Sequence, residues 1–355
     1  MHATRSVKAR PPPSQQQRPL AAGATAARRR APPARRGGRP VATAAAAAAT
    51  TPGGQSSSAL PRSALLRRLL LLAPGAAAAL LLLPSLPHPP TAQAADAPFP
   101  RALAPPELAA LRRALAAAAP KPKAPVLLRL VFHDAGTFDA GAGDGGANAS
   151  VRLELERPEN GGLKRGWRVI EALRAELRKQ EQAAAPGGGA APLASVLSDA
   201  DLIALAGAHA VEVTGGPGDL LPRIRVGRTD AAKPDPEGRL PSEKAGPAEL
   251  VAAFAAKTLS AREMVALSGA HTLGSKGFGD PLTFDNAYYT TLLARPWEDP
   301  RTQMPEMIGL ASDRALPGDA RCRALVEAYA SDPALFFGDF SDAYARLTEL
   351  GARWR

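Results

Sequence analysis

Cysteine is nearly absent from these 355 residues, with Cys322 standing alone. One thiol excludes an intramolecular disulfide and any cysteine-built metal cluster. In the apolar helical stretch around residues 319–331 it reads as a small buried side chain. Aromatics are scarce, at 5%. Alanine is used so heavily that much of the apolar fraction is not large core residues. No apolar run alternates with polar residues for long enough to read as a strand, and no internal repeat is visible. Acid is missing from one region altogether. Residues 1–94 contain 13 Lys or Arg and no Asp or Glu. The net charge of +11 therefore belongs to that stretch, because residues 95–355 hold the other 31 basic and all 33 acidic residues, a net of −2. A basic body built to bind nucleic acid is not supported.

An acid-free, Arg-, Ala-, Ser- and Pro-rich leader has the composition of an organelle transit peptide. Arg67 and Arg68 precede an apolar run over residues 69–83, broken by Pro74 and Gly75. Ala92 and Ala94 then stand in the spacing that a signal peptidase accepts. The expected division is a plastid transit peptide with a signal-like apolar segment over residues 1–94 and a body over 95–355. The destination is the chloroplast, in the thylakoid lumen or the stroma. The apolar run is short against the ~20 residues of a membrane span, so membrane contact is expected only through residues 65–83.

The body reads as about ten helices, an all-α class. Apolar periodicity and end signals mark residues 107–119, a helix with Pro125 in its first turn that runs through His133, and residues 163–182 with Trp167, Ile170, Leu173 and Leu177 on one stripe. Further helices fall at 199–213, 288–293, 320–330 and 333–350, and one starts at Ser260 with Glu263 completing a capping box. This last helix is expected to reach His271 and stop at Gly274. Loop-rich residues 214–246 divide a front half (95–245) from a back half (246–355).

The chemistry gathers on two histidines. Arg129 and His133 are four apart and share a helix face, with Phe132 beside them. An arginine with no carboxylate at helical spacing, next to an imidazole that titrates near neutrality, suits a polar reacting group. In peroxide cleavage, a histidine moves the proton from one oxygen to the other while an arginine stabilises charge on the leaving oxygen. Asn160, supported by Glu154, is the candidate to hold the far nitrogen of His133. His271 equally fits a satisfied core histidine. As an iron ligand it would need a carboxylate on its other nitrogen, for which Asp313 is the candidate. Gly269 and Ala270 are small enough for a flat cofactor to lie close. His209, inside an apolar helix, reads as a core or interface residue. The Gly-rich loop at 141–146 lacks the Lys-Ser/Thr of a phosphate loop.

The body resembles the plant-type haem peroxidase superfamily, class I, on stretches that occur in the family order: 124–139 (Ala-Pro-Val-Leu-Leu-Arg-Leu-Val-Phe-His-Asp-Ala-Gly-Thr-Phe-Asp), 145–150, 159–163 (Glu-Asn-Gly-Gly-Leu), 211–217, 234–241, 265–274 (Val-Ala-Leu-Ser-Gly-Ala-His-Thr-Leu-Gly), 284–289, 310–316 and 336–344. The resemblance implies a haem-dependent peroxidase fold, two lobes enclosing haem b. It makes Arg129 and His133 the pair on the peroxide side, with Phe132, Asn160 and Glu154 around them. It makes His271 the axial iron ligand and Asp313 its hydrogen-bond partner. Lys276 and Arg228 are the candidates to face the cofactor, and Thr272 and Asp285 are what remains of the family's cation site. Hydrogen peroxide and a small electron donor, phenolic or ascorbate, are the implied partners.

The departures fall on the donor side. Ascorbate peroxidases carry Trp where Phe132 stands and another Trp after the axial histidine. Residues 272–283 (Thr-Leu-Gly-Ser-Lys-Gly-Phe-Gly-Asp-Pro-Leu-Thr) hold no Trp and no Arg, and Lys123 replaces a Cys. This pattern is similar to the ascorbate peroxidase-related group of plastid haem peroxidases. Two other readings stay open at this point: an ascorbate-specific peroxidase, and a non-catalytic plastid protein that keeps the fold.

Overall fold

The structure, a computed structural model, describes residues 98–183 and 192–355. The leader over 1–94, with its apolar run over 69–83 and the expected membrane-contact segment over 65–83, lies outside the described residues. Among the described residues there are twelve α-helices, several one-turn 3-10 segments, isolated two-residue bridges and no strand. No helix among them is long and apolar enough to cross a membrane.

Local signals account for most helix starts. Helix α1 (Pro105–Ala118) opens on proline, and the Glu107 carboxylate accepts the Ala104 N–H at 2.7 Å. Helix α2 (Ala124–Ala135) also has proline in its first turn. Helices α3 (Lys164–Ala183) and α4 (Leu193–Val196) lead to α5 (Asp199–Val213), where Ser198 Oγ accepts the Asp201 N–H at 3.0 Å. After α6 (Leu220–Arg223) and α7 (Pro247–Ala255), helix α8 (Ala261–Ser268) has the expected Ser260–Glu263 box. Helices α9 (Ala287–Ala294), α10 (Ala311–Ala315), α11 (Ala320–Ser331) and α12 (Pro333–Leu347) follow, with Asp319 and Asp332 capping the last two.

Helix α5 is the buried axis of the front half. Apolar on nearly every face, it packs along α2. Gly207 permits that approach: a Cβ there would lie 2.2 Å from Tyr344 Oη and 2.4 Å from Val131 Cγ2. In the back half α8 packs on α12 and α9 on α11, around an aromatic core of Phe284, Tyr289, Tyr329, Phe336 and Phe340.

The structure differs from the sequence expectation in three places. Helices α4, α6 and α10 are single turns too short to show periodicity, and α7 was not expected. The helix expected to run through His271 ends at Ser268, and His271 sits on a 3-10 turn, Gly269–Thr272. Helix α12 ends at Leu347, three residues early, where the chain turns towards Gly351 at a φ of +62°.

Candidate active site

Arg129 and His133 stand one turn apart on α2, and a single 3-10 turn, Pro158–Asn160, holds both. Arg129 donates Nη1 to the Gly161 carbonyl and Nη2 to the Glu159 carbonyl, each at 2.7 Å. The cation is thus fixed by neutral carbonyls and keeps its charge for a further partner. Burial lowers the Arg129 pKa, and the Glu243 carboxylate works the other way.

His133 Nδ1 lies 2.7 Å from Asn160 Oδ1. Asn160 is buried, and its Nδ2 donates to the Glu154 carbonyl at 2.9 Å, which orients the amide. Nδ1 of His133 is therefore the protonated nitrogen, and Nε2 is left as an acceptor. Burial first, and then the Arg129 charge, push the His133 pKa down from 6.5 to about 4, so the ring is neutral near pH 7. Glu154 serves Asn160 through its main chain. Its carboxylate accepts the Asp235 N–H at 2.7 Å and pairs with Arg157 at 2.9 Å. Phe132 is edge-on to His133, with centroids 6.3 Å apart, and stacks on Phe254 of α7 at 6.0 Å. The next residue, Asp134, is fully buried and accepts the Ala149 and Val151 N–H groups. Burial raises its pKa to about 7.

The second histidine is tied from the opposite side. His271 Nδ1 lies 2.8 Å from Asp313 Oδ1, which also accepts Tyr288 Oη–H at 2.9 Å, while Asp313 Oδ2 accepts the Leu310 N–H at 2.8 Å. Burial disfavours charge on His271, but the Asp313 carboxylate outweighs it and the pKa is raised. Burial likewise opposes charge on Asp313, and His271 overcomes it, so that pKa is lowered. Asp313 is 3% exposed, yet 41% of the His271 side chain is open, with no protein partner on Nε2 among the described residues.

Three contacts bring the two histidine segments together. A Cβ on Gly274 would lie 3.5 Å from Pro125 at the start of α2. Leu240 packs against Gly136 at the end of α2, where a Cβ would meet it at 2.9 Å. Three residues on, the Glu243 carbonyl accepts the N–H of Ser312, beside Asp313, at 3.0 Å. The Glu243 carboxylate acts on the charges of both Arg129 and His271. Nothing in the sequence singled out Glu243, Phe254 or Tyr288. Tyr288 lies in an expected helix, but its bond to Asp313 depends on how α9 meets α10.

Two expectations are corrected. Arg228 does not face a cofactor. It is fully buried, pairs with Asp201 at 3.0 Å, donates to the Thr348 and Arg225 carbonyls, and lies over the Trp354 ring. Gly269 is small for the core rather than for a cofactor, since a Cβ there would lie 2.4 Å from Tyr289 Oη and 2.6 Å from Phe336. The Lys276 charge does reach His271, where it opposes protonation. Thr272 Oγ donates to Asp285 at 2.8 Å, and Asp285 also accepts the Ala287 N–H at the start of α9. No group of three or more His, Cys, Asp or Glu among the described residues is arranged to hold a metal ion. His209 is a packing residue, 3.2 Å from the Ala119 carbonyl. Cys322 is buried.

A family model described as Peroxidase matches residues 109–332. A putative L-ascorbate peroxidase 6 of Arabidopsis thaliana is 46% identical over 234 residues, 66% of this chain and 66% of that protein. Cytosolic L-ascorbate peroxidase 1 of Oryza sativa subsp. japonica is 39% identical over 246 residues, covering 66% of this chain and 88% of its own. The probable peroxisomal L-ascorbate peroxidase 3 of the same plant is 38% identical, covering 66% of this chain and 75% of its own. The chain thus spans about two thirds of the length of the first of these relatives and more of the others. It belongs to the plant-type haem peroxidases, class I, in the ascorbate peroxidase-related group.

Proposed function

We propose that this protein reduces hydrogen peroxide to water with electrons from a small organic donor, at haem b held by His271. The observation that carries this reading is the paired restraint of Arg129 and His133 by one turn. It leaves a neutral imidazole with Nε2 as acceptor, one helical turn from a cation that no carboxylate contacts among the described residues. His133 takes the proton from one peroxide oxygen and returns it to the other, and Arg129 stabilises the charge that develops on the departing oxygen. Phe132 and Phe254 wall this side with apolar surface.

The residues on the other side fit a haem. His271 offers an open ring whose Nδ1 is already committed to a buried carboxylate, the arrangement that orients and strengthens a histidine ligand. Haem b, when bound, supplies the redox centre for the two-electron reduction. The matching test is His133→Ala in haem-reconstituted protein. The bimolecular rate of reaction with peroxide should fall by more than the ~10²–10⁴ usual for an acid–base group, because peroxide also loses its orientation. An unchanged rate would remove His133 from the mechanism.

The donor is proposed to be phenolic rather than ascorbate, because residues 272–283 carry neither the Trp nor the Arg that ascorbate peroxidases place there. Steady-state rates across a donor panel test this, and a clear preference for ascorbate would reverse it. A cation at Thr272 and Asp285 has only their single mutual hydrogen bond in its support. The lobes are proposed at 95–245 and 246–355, and the acid-free leader is proposed to direct the protein to the chloroplast, in lumen or stroma, for peroxide detoxification. Imaging a fusion of residues 1–94 to a fluorescent reporter checks the address.

A further inference from the structure

The reaction proposed above draws electrons from outside, and none of the three tryptophans in the chain lies beside His271. Trp297 covers Arg314, Trp354 covers Arg225 and Arg228, and Trp167 bonds Glu171 on α3. What lies beside His271 is a row of tyrosines. Tyr288 stands edge-on to the His271 ring with centroids 6.2 Å apart. Tyr289 follows at 5.0 Å from Tyr288, and Tyr329 at 5.1 Å from Tyr289, both in edge contact. All three are fully buried, and they are three of the four tyrosines in the chain. Asn286 fixes the spacing of the helices that carry them, donating from the start of α9 to the Tyr329 and Ala330 carbonyls of α11.

The three phenols differ in where their protons can go. One-electron oxidation makes a phenol O–H strongly acidic, so the oxidised state settles where a base receives the proton. Tyr288 donates to Asp313, which is already engaged by His271 and the Leu310 N–H. Tyr289 donates to the Val265 and Ala266 main-chain carbonyls, which do not act as bases. Tyr329 donates to Asp339 Oδ2 at 2.6 Å, and that carboxylate pairs at 2.7 Å with Arg262, a half-exposed side chain on α8.

We propose that Tyr329 is a redox-active residue of this protein, connected to His271 through Tyr289 and Tyr288, and that the Arg262–Asp339 surface is where a one-electron organic donor restores it. The step balances with the proposed peroxide chemistry, on which it rests. Peroxide takes up two electrons and two protons to give two waters. One of those electrons leaves Tyr329 by way of Tyr289 and Tyr288. The other would come from haem b, when bound, and be replaced by a second donor molecule, and the two protons come from the donors and solvent. The Tyr329 proton passes to Asp339, which leaves a neutral tyrosyl radical. The donor then returns one electron, Asp339 returns the proton, and the donor leaves oxidised by one electron. Tyr289, with no base of its own, serves as a bridge and not as a resting place.

The test uses haem-reconstituted full-length protein and one equivalent of hydrogen peroxide. Freeze-quenched electron paramagnetic resonance is recorded with ordinary and with ring-deuterated tyrosine, and a nitroso spin trap is mapped by peptide mass spectrometry. The expected result is a tyrosyl signal that narrows on deuteration and a trap adduct on Tyr329. In Tyr329→Phe the adduct is lost, while the peroxide-induced change in haem absorption keeps its rate. Asp339→Asn, which retains every ring, should lower the tyrosyl signal several-fold with the same absorption change. A tyrosyl signal unchanged in Tyr329→Phe, or an adduct only on other residues, overturns the inference and leaves the peroxidase reading standing. Peroxide that leaves the wild-type haem absorption unaltered overturns the peroxidase reading, and the inference with it.

Discussion

The His133 proton decides how the first half of the reaction responds to pH. The ring is held at a pKa of about 4 against an ordinary 6.5. At pH 7 roughly one molecule in a thousand carries the imidazolium. The bimolecular rate with peroxide should therefore be flat from neutrality down to about pH 5, and then fall tenfold per unit below about pH 4. Arg129→Leu separates the causes. Side chains four apart on a helix lie ~6 Å from each other, and at an effective dielectric of ~20 one unit charge there is worth at most about 3 kcal/mol, or about 2 pH units. Burial is the larger contributor to the depression, so the arginine's share is about 1 unit. In Arg129→Leu the acid limb should move up to about pH 5, and the plateau should drop because the leaving oxygen loses its cation. The same shift sets a stability trend. The unfolded chain binds this proton at 6.5 and the folded chain at about 4, so folding loses stability as pH falls through that window, and the variant loses less. The assay is stopped-flow haem absorption after mixing with peroxide across pH, with thermal unfolding in parallel. A wild-type limb near 6.5, or a limb that does not move in Arg129→Leu, refutes the account of a buried neutral histidine beside a charged arginine.

Three further outcomes follow from the packing. Asp313→Asn removes the charge that holds His271, and haem affinity should fall ~10–100-fold in an absorbance titration. Arg228→Ala strips the buried Asp201 carboxylate of its nearest cation, leaving it Arg355 at 3.5 Å and main-chain N–H donors, and should cost about 3 kcal/mol in urea unfolding, with haem affinity unaltered in the folded fraction. Gly207→Ala drives a methyl into Tyr344 and Val131 and should cost about 1–3 kcal/mol by thermal denaturation, with no effect on the pH limb of His133.

Local sequence signals foretold the long helices: an apolar stripe marked α3, and start signals marked others. Ser198, Ser260 and the prolines of α1 and α2 act within four residues of the position they specify. Residue type and spacing also singled out Arg129, His133, Asn160, His271 and Asp313, whose pairings the structure shows. Arg228 misled because an arginine in a polar loop reads as exposed, and only the partner 27 residues earlier makes it a core residue. Gly269 misled for a related reason: smallness was legible, but which neighbour demanded it was not. Glu243, Phe254 and Tyr288 gave no local signal. Their places depend on the path of residues 240–246 and on how α7, α9 and α10 pack.

The turn Pro158–Asn160 gives the peroxide side a mechanical property that neither side chain has alone. The carbonyls of Glu159 and of Gly161, just after the turn, set the position of Arg129, and the Asn160 amide sets the ring of His133. The two are referenced to one piece of backbone, so a displacement of that turn shifts both in step and preserves the offset between them. Selection acting on this segment tunes a single adjustable part, and a lesion at Pro158 or Gly161 should detune proton transfer and charge stabilisation together.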